Sequence, residues 1–360
     1  MNQVLITDTP PSRFVRIGDK DYLWFSGTDY LGMAYDAAYL KIISDGLPVL
    51  GTHFGSSRNN TLQISAYSRA EQSLATFAGA EDALLVSSGM LAGHLIRTSL
   101  PDILAALNPG FQISQIEAPG LHPALRRGTP VNSAWETWAE ATARSIRSAA
   151  ADVFYILYSD AIGSPKPVSF PFGRFAGLDN MLLVVDDSHA IGVAGHSGSG
   201  SLGKLTESGI LNILAVSSLN KALGIPGGAI LGSRLLLDGF RKTATYSGAS
   251  PFPPVFAHAL ACMAGDGLYA GIHEKLMQNT RRFFQKLDCK ERFDYLPDYP
   301  VLTTTDAGLA GSLMEKGILC SSFPYPAADD LPLTRLVITS VHTDEDIDRL
   351  AGACNRYYAS

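Results

Sequence analysis

Charge is scarce in this chain: Asp, Glu, Lys and Arg make up only 17% of its 360 residues. Basic residues are the minority even of these, 28 against 34 acidic, for a formal net charge of −6. That balance speaks against a nucleic-acid partner, whose phosphates are met by clustered Lys and Arg. Cysteine is sparse as well. Cys262, Cys289, Cys320 and Cys354 lie far apart with no Cys-x-x-Cys pair. They read as reduced thiols of a cytoplasmic protein, not as a disulfide framework or a metal site. Long apolar runs are missing too: stretches such as Met181 to Val185 fall far short of the roughly 18 residues that span a bilayer. Met1 to Ile6 has no basic stretch ahead of an apolar one, so neither a signal peptide nor a membrane partner is expected. Internal repeats and low-complexity tracts are absent. What is abundant is hydrophobic surface, 46% of residues. A disordered chain is thereby excluded, and with so little charge to cover the exterior an oligomer interface is expected.

The loudest local signals describe an α/β chain. Ser68-Arg69-Ala70-Glu71 has the form of a capping box opening a helix, with Leu74, Phe77 and Ala78 as its apolar stripe and Gly79 as its stop. Ala83 to Val86, Val153 to Tyr158, Met181 to Val185, Ile213 to Val216 and Ala229 to Leu231 are short continuous apolar runs. Such runs suit strands buried on both faces, as in a parallel sheet covered by helices. A helix is expected from Met90 to Ser99. Leu336 to Ile338 reads as a strand, and Thr343 as the cap of a helix on which Ile347, Leu350, Ala351, Cys354 and Tyr358 recur at helical spacing. The expected division is an N-terminal segment (1–40), a large domain with a mostly parallel sheet (41–265) and a smaller C-terminal α+β domain (266–360).

Open parallel sheets bind ligands beyond the carboxyl ends of their strands. Three such ends carry polar residues here: Ser87-Ser88-Gly89-Met90, Asp186-Asp187-Ser188-His189 and Ser217-Ser218-Leu219-Asn220-Lys221. The Gly/Ser-rich stretch from Gly192 to Gly203 follows the second and reads as an active-site loop. An acid at a strand end, followed one βα unit later by Ser-x-x-Lys, is what pyridoxal phosphate chemistry requires. The lysine amine attaches the cofactor aldehyde, the carboxylate keeps the pyridine nitrogen protonated, and a helix N-terminus receives the phosphate. Blander readings stand beside these: Lys221 as a solvated surface charge, Asp186 as a bare helix cap, Gly89 as a turn glycine, and His122 or His189 as structural histidines. His53, His94, His196, His258 and His273 have no partners at ligand spacing, and no metal site is expected.

The Asp-Asp-Ser-His-Ala-Ile-Gly-Val block from Asp186, and Ser218-x-x-Lys221-Ala-x-Gly-x-x-Gly-Gly-Ala, resemble the α-oxoamine synthases, a family of fold-type I pyridoxal phosphate enzymes. The resemblance runs from Tyr30-Leu31-Gly32 to Thr339-Ser340-Val341-His342. It implies that Lys221 attaches the cofactor and moves the substrate's α-proton, that Asp186 partners the pyridine nitrogen, and that His189 bonds the ring hydroxyl. Ser188 would lie on one face of the ring and His122 on the other. Ser88, Gly89, Met90 and Ser218 would hold the phosphate, and Ser250 would reach the phosphate of a neighbouring subunit in a homodimer. The implied activity is acyl transfer: an amino acid condenses with an acyl-CoA or other acyl thioester, loses CO₂, and leaves as an α-amino ketone. Alternatives are an aminotransferase or lyase of the same fold, or a cofactor-binding protein with little catalysis.

The sequence departs from the family at three places. Thr28 replaces the asparagine of Asn-Asp-Tyr-Leu-Gly. Leu333 stands for the first arginine of the family's C-terminal Arg-x-Arg, the carboxylate clamp, while Arg335 keeps the second. The Glu-x-x-x-Ser-Met-x-Gly region appears as Ser159-Asp160-Ala161-Ile162-Gly163-Ser164-Pro165 with no clear glutamate. Arg335 and Thr28 are the candidates for substrate binding, with Arg58 the other available cation.

Overall fold

The chain opens on an antiparallel hairpin of two short strands, β1 (Phe14–Ile17) and β2 (Lys20–Trp24). Helices α1 (Ala37–Leu50) and α2 (Ser65–Ala78) follow, then β3 (Asp82–Val86), α3 (Gly89–Leu107), β4 (Gln112–Glu117), α4 (Trp135–Arg147), β5 (Val153–Asp160), β6 (Met181–Asp186), α5 (Leu202–Glu207), β7 (Ile213–Ser218) and β8 (Gly228–Gly232). Next come α6 (Arg234–Arg241), α7 (Ala244–Gly248), α8 (Pro254–Gly265) and α9 (Leu268–Lys286). The last stretch holds β9 (Asp294–Tyr295), β10 (Val301–Thr304), α10 (Ala307–Glu315), β11 (Ile318–Leu319), β12 (Ser321–Pro324), β13 (Pro332–Val337) and α11 (Asp344–Ala359). This computed structural model describes residues 5–325 and 330–359. It divides into two units: Ala37–Gly163 with Ser169–Tyr269, and the described residues up to Asp36 together with Ser164–Val168 and those from Ala270 onward. Among the described residues no single helix is long and apolar enough to cross a membrane.

In the larger unit the apolar runs become one six-stranded sheet, in the order β3-β8-β7-β6-β5-β4. Only β8 runs against the rest. Every residue of β6 is buried, as expected of a central strand with both faces covered. Burying side chains the size of Leu182 or Val184 contributes about 1.5–3 kcal/mol each. Leu95, Ile96, Leu100 and Leu104 of α3, with Leu237 and Phe240 of α6, pack on Ile156, Val184, Val216 and Ile230 of the sheet. The result is that the carboxyl ends of β3, β4, β5, β6 and β7 share one edge.

Two helix boundaries differ from the sequence reading. Helix α2 begins at Ser65, so Ser68 is no cap: its hydroxyl donates to the Ser65 carbonyl at 3.0 Å. Glu71 is diverted from capping by tertiary partners. Its Oε1 accepts the Leu85 N–H at 3.0 Å, and Arg58 donates to both of its oxygens at 3.0 and 3.1 Å. The guanidinium of Arg58 also lies over the Tyr67 ring, so Arg58 is committed to Glu71 and is not a spare cation for a substrate. Helix α3 runs on to Leu107, through Pro101, well past Ser99.

The Arg58–Glu71 pair is almost wholly enclosed, with side chains 14% and 8% exposed. Arg58→Ala leaves a carboxylate without its counter-charge, a change that costs about 3–5 kcal/mol at buried pairs. A melting temperature lowered by roughly 2–4 °C per kcal/mol is expected in a thermal scan. An unchanged midpoint would show that the pair contributes nothing.

In the smaller unit β12-β13-β10-β9 form an antiparallel sheet, and β11 adds to β2 in parallel. Phe25, Phe283, Leu309, Leu336 and Leu350 share its core. Thr343 does open α11: its hydroxyl accepts the Asp346 N–H at 3.3 Å, and Asp346 accepts the Thr343 N–H at 2.8 Å. This reciprocal cap is pinned by Arg13, whose Nε and Nη2 donate to Asp346 at 2.6 and 3.0 Å.

Candidate active site

Strand register brings the polar residues together at the shared edge. Asp160 and Asp186, the last residues of β5 and β6, are direct partners across the parallel ladder. Asp186 Oδ1 accepts the Ser188 N–H at 3.0 Å, which turns the chain back after β6. The Ser188 hydroxyl accepts the Ser218 N–H at 2.7 Å, tying that turn to the end of β7. Beyond β7, Lys221 Nζ lies 3.1 Å from His189 Nε2. Lysine, histidine and aspartate from two adjacent strand ends thus meet in one place.

His122 enters from the loop after β4. Its Nδ1 lies 3.8 Å from Asp186 Oδ2, yet that nitrogen accepts the Ala124 N–H at 3.2 Å. A nitrogen that accepts carries no proton, so Nε2 bears the hydrogen. Burial lowers the His122 pKa against the pull of Asp186, which agrees with a neutral ring. The His122 side chain is 43% exposed while that of Asp186 is 9% exposed, so the imidazole is only partly covered.

The N-terminus of α3 closes the remaining side. Ser88 caps it, accepting the Leu91 N–H at 3.1 Å. The helix itself offers no acceptor to the N–H groups of Gly89 and Met90, and Met90 is 57% exposed. A Cβ on Gly89 would fall 2.7 Å from Ser218 Cβ and 2.9 Å from its Cα. Only glycine lets the helix end abut Ser218 this closely.

Asp187 faces inward instead. It is 1% exposed, and both of its oxygens take the Ser201 N–H, at 3.1 and 3.3 Å. Burial pushes its carboxyl up to about 7. The Gly/Ser-rich loop from Gly192 is thereby anchored on Asp187 and closes on itself, Gly192 N–H donating to the Gly198 carbonyl at 2.7 Å.

Four facts now converge: the strand-end acid, the lysine beyond the next strand, the helix N-terminus with the N–H groups of Gly89 and Met90 unused by the helix, and the half-exposed histidine. A sequence model of the aminotransferase class I and II family matches residues 173–353. The 8-amino-7-oxononanoate synthase of Serratia marcescens is 30% identical over 97% of this chain and 92% of its own length. That of Dechloromonas aromatica is 27% identical over 97% and 93%. The chain is an α-oxoamine synthase family member. Among solved structures, serine palmitoyltransferase of Sphingomonas wittichii superposes with a TM-score of 0.80 at 18% identity, covering 98% of this chain and 91% of that one. The 8-amino-7-oxononanoate synthase of Francisella tularensis does so at 0.68 and 19%, over 94% and 98%.

This α-oxoamine synthase family member is therefore a pyridoxal phosphate-dependent transferase of fold type I. Its residues fit the cofactor. An amine, a buried carboxylate, a half-open imidazole and a glycine-permitted cradle at a helix N-terminus are the donor set the group requires.

Ser250 is exposed between α7 and α8. Arg335 and Thr28 belong to the smaller unit. Arg335 is buried and donates from Nη1 to the Gly27 carbonyl at 2.9 Å and from Nη2 to the Tyr30 hydroxyl at 3.0 Å. Among the described residues its Nε has no partner. Arg335 thus braces the turn that presents Thr28, while Leu333 is buried opposite Phe323. The motif histidine His342 is structural: Nδ1 accepts the Thr339 N–H at 3.0 Å and Nε2 bonds the Trp24 carbonyl at 2.9 Å. Burial drives its pKa down to about 4. The sequence reading missed Asp160, which is buried beside Asp186 and accepts the His122 N–H at 3.1 Å. The signal in the sequence is an acid at the end of a long, mostly apolar run.

Proposed function

We propose that this chain, acting in the cytoplasm as a homodimer, condenses an α-amino acid with an acyl thioester and releases CO₂, free thiol and an α-amino ketone. The observation that supports this best is Lys221 Nζ held against His189 Nε2 beside the strand end that carries Asp186. Pyridoxal phosphate, when bound, supplies an electron sink for negative charge at the amino acid's α-carbon. Lys221 attaches the cofactor and its Nζ moves the α-proton, with His189 Nε2 as hydrogen-bond partner. Asp186 offers its carboxylate to the pyridine nitrogen, and His189 also serves the ring hydroxyl. His122 is assigned to one face of the cofactor ring and Ser188 to the other. The phosphate goes to Ser88, Ser218 and the N–H groups of Gly89 and Met90, with Ser250 serving a second copy. Arg335 and Thr28 are assigned to the amino acid's carboxylate.

The relatives suggest the substrates. 8-Amino-7-oxononanoate has its carbonyl at C7 and an amine and methyl group beyond it. Disconnecting the bond between C7 and C8 gives alanine, less its carboxyl, and a seven-carbon dicarboxylic acyl group. Serine palmitoyltransferase, by its name, pairs serine with a sixteen-carbon acyl group instead. The 27% and 30% sequence identity to two 8-amino-7-oxononanoate synthases, against 18% to the serine palmitoyltransferase, favours the first pair.

Purified protein loaded with cofactor should release free thiol from heptanedioyl-CoA in the presence of L-alanine, and lose the alanine carboxyl as CO₂. Thiol release confined to L-serine and palmitoyl-CoA would reassign the substrates. Amino-group transfer to a 2-oxo acid with no thiol release from any acyl-CoA would overturn acyl transfer altogether.

A further inference from the structure

His122 sits in a loop whose fastening exceeds what a ring contact alone needs. Beyond His122 the loop is clipped back to Glu117, which closes β4. Glu117 Oε1 accepts the Arg127 N–H at 2.9 Å, and Oε2 the Gly128 N–H at 3.4 Å. Arg97 of α3 holds that carboxylate with Nη2 at 2.7 Å, its guanidinium lying 3.9 Å from the centre of the Tyr158 ring. The loop is also pressed onto α3, where a Cβ on Gly93 would come within 2.5 Å of the Ala124 carbonyl oxygen. Within the loop, Leu125 and Arg126 donate to the His122 carbonyl at 3.0 and 3.1 Å, and Ala124 donates to its ring. The imidazole is therefore rigid within its turn. What joins that turn to the catalytic edge of the sheet is the bond from the His122 N–H to Asp160 Oδ1.

We propose that Asp160 is the positioning residue for His122, holding the imidazole at the strand end that carries Asp186 so that it can meet the cofactor ring. The inference rests on the cofactor assignment made under Proposed function. It explains a placement otherwise costly, since a second carboxylate stands directly beside Asp186 in the ladder at 6% exposure. Burial, aided by the charge of Asp186, pushes the Asp160 carboxyl up, towards the neutral acid. A neutral acid still accepts the His122 N–H and adds no repulsion. Asparagine would do the same, being nearly the same shape with an acceptor oxygen in the same place. Alanine would not.

The test titrates apo-protein with pyridoxal 5′-phosphate, followed by protein fluorescence and by the visible absorbance of the bound cofactor. The proteins are wild type, Asp160→Ala, Asp160→Asn, His122→Ala and the double variant His122→Ala/Asp160→Ala. Asp160→Ala should weaken binding about tenfold, the size of coupling typical of residues in one network. Asp160→Asn should restore it, and the loss should vanish when His122 is already alanine. Additive losses in the double variant, or no rescue by asparagine, would overturn the proposal. Should Asp160→Ala fail to fold, Glu117→Gln loosens the same loop from its other end: weakening that depends on His122 supports the proposal, and equal weakening without His122 overturns it. Wild type that takes up no cofactor would overturn the cofactor assignment and this inference together. Normal uptake with no effect at Asp160 would overturn this inference alone.

Discussion

Lys221→Ala is expected to abolish covalent attachment of the cofactor and to reduce turnover by roughly a thousandfold or more. The side chain is assigned two tasks, and alanine removes both. It no longer attaches the cofactor aldehyde, and it no longer moves the α-proton, a contribution worth about 10²–10⁴ by itself. Phosphate contacts at Ser88, Gly89, Met90 and Ser218 are untouched, so weak non-covalent binding should persist. The readout is reduction with borohydride followed by mass analysis of the intact chain. Wild type should gain the mass of one reduced cofactor and the variant none. A reducible adduct surviving in Lys221→Ala would place the attachment point at another lysine and dismantle the assigned roles around it. His189 gives a second check on the same contact. With its lysine partner gone at 3.1 Å, restoring a primary amine from solution should return part of the activity.

Much of this edge was legible before the fold was known, for a physical reason. Strands buried on both faces must be apolar throughout, so the first polar residue after each run marks where the strand leaves the core. Asp186 is readable in that way, and Ser217-Ser218 mark the end of the next run, with Lys221 three residues on. Asp160 closes an equally apolar run but was passed over. Its importance comes from register, which pairs β5 with β6 residue for residue, and register between strands separated by a long connection leaves no local mark. Ser68-x-x-Glu71 failed for the converse reason: the pattern satisfies a local rule, but Glu71 has a stronger offer from Arg58 and Leu85. Arg335 illustrates a third case. Its type and its place two residues from Leu333 were visible, whereas its bonds to Gly27 and Tyr30 join opposite ends of the chain and required the fold.

Asp186→Asn should leave the melting temperature within a few degrees of wild type and still cost turnover at least about a hundredfold, the scale on which removing one electrostatic partner of a reacting charge is felt. The two halves of this expectation have separate causes. Asparagine retains an oxygen that can accept the Ser188 N–H, now at 3.0 Å, so the turn after β6 survives. The negative charge does not survive, and that charge is what is assigned to keep the pyridine nitrogen protonated and the ring able to draw electrons from the substrate. No neighbour can take over. Asp187 points into the core, 1% exposed, with both oxygens on the Ser201 N–H. Asp160 is pushed towards its neutral form by burial and by Asp186 itself; relieved of that neighbour it still has to hold the His122 N–H from its own strand end. Steady-state thiol release and a thermal melt on the same preparation separate the outcomes. Retained turnover would move the pyridine partner away from Asp186, whereas turnover and stability falling together would mean that the charge serves the fold and not the ring.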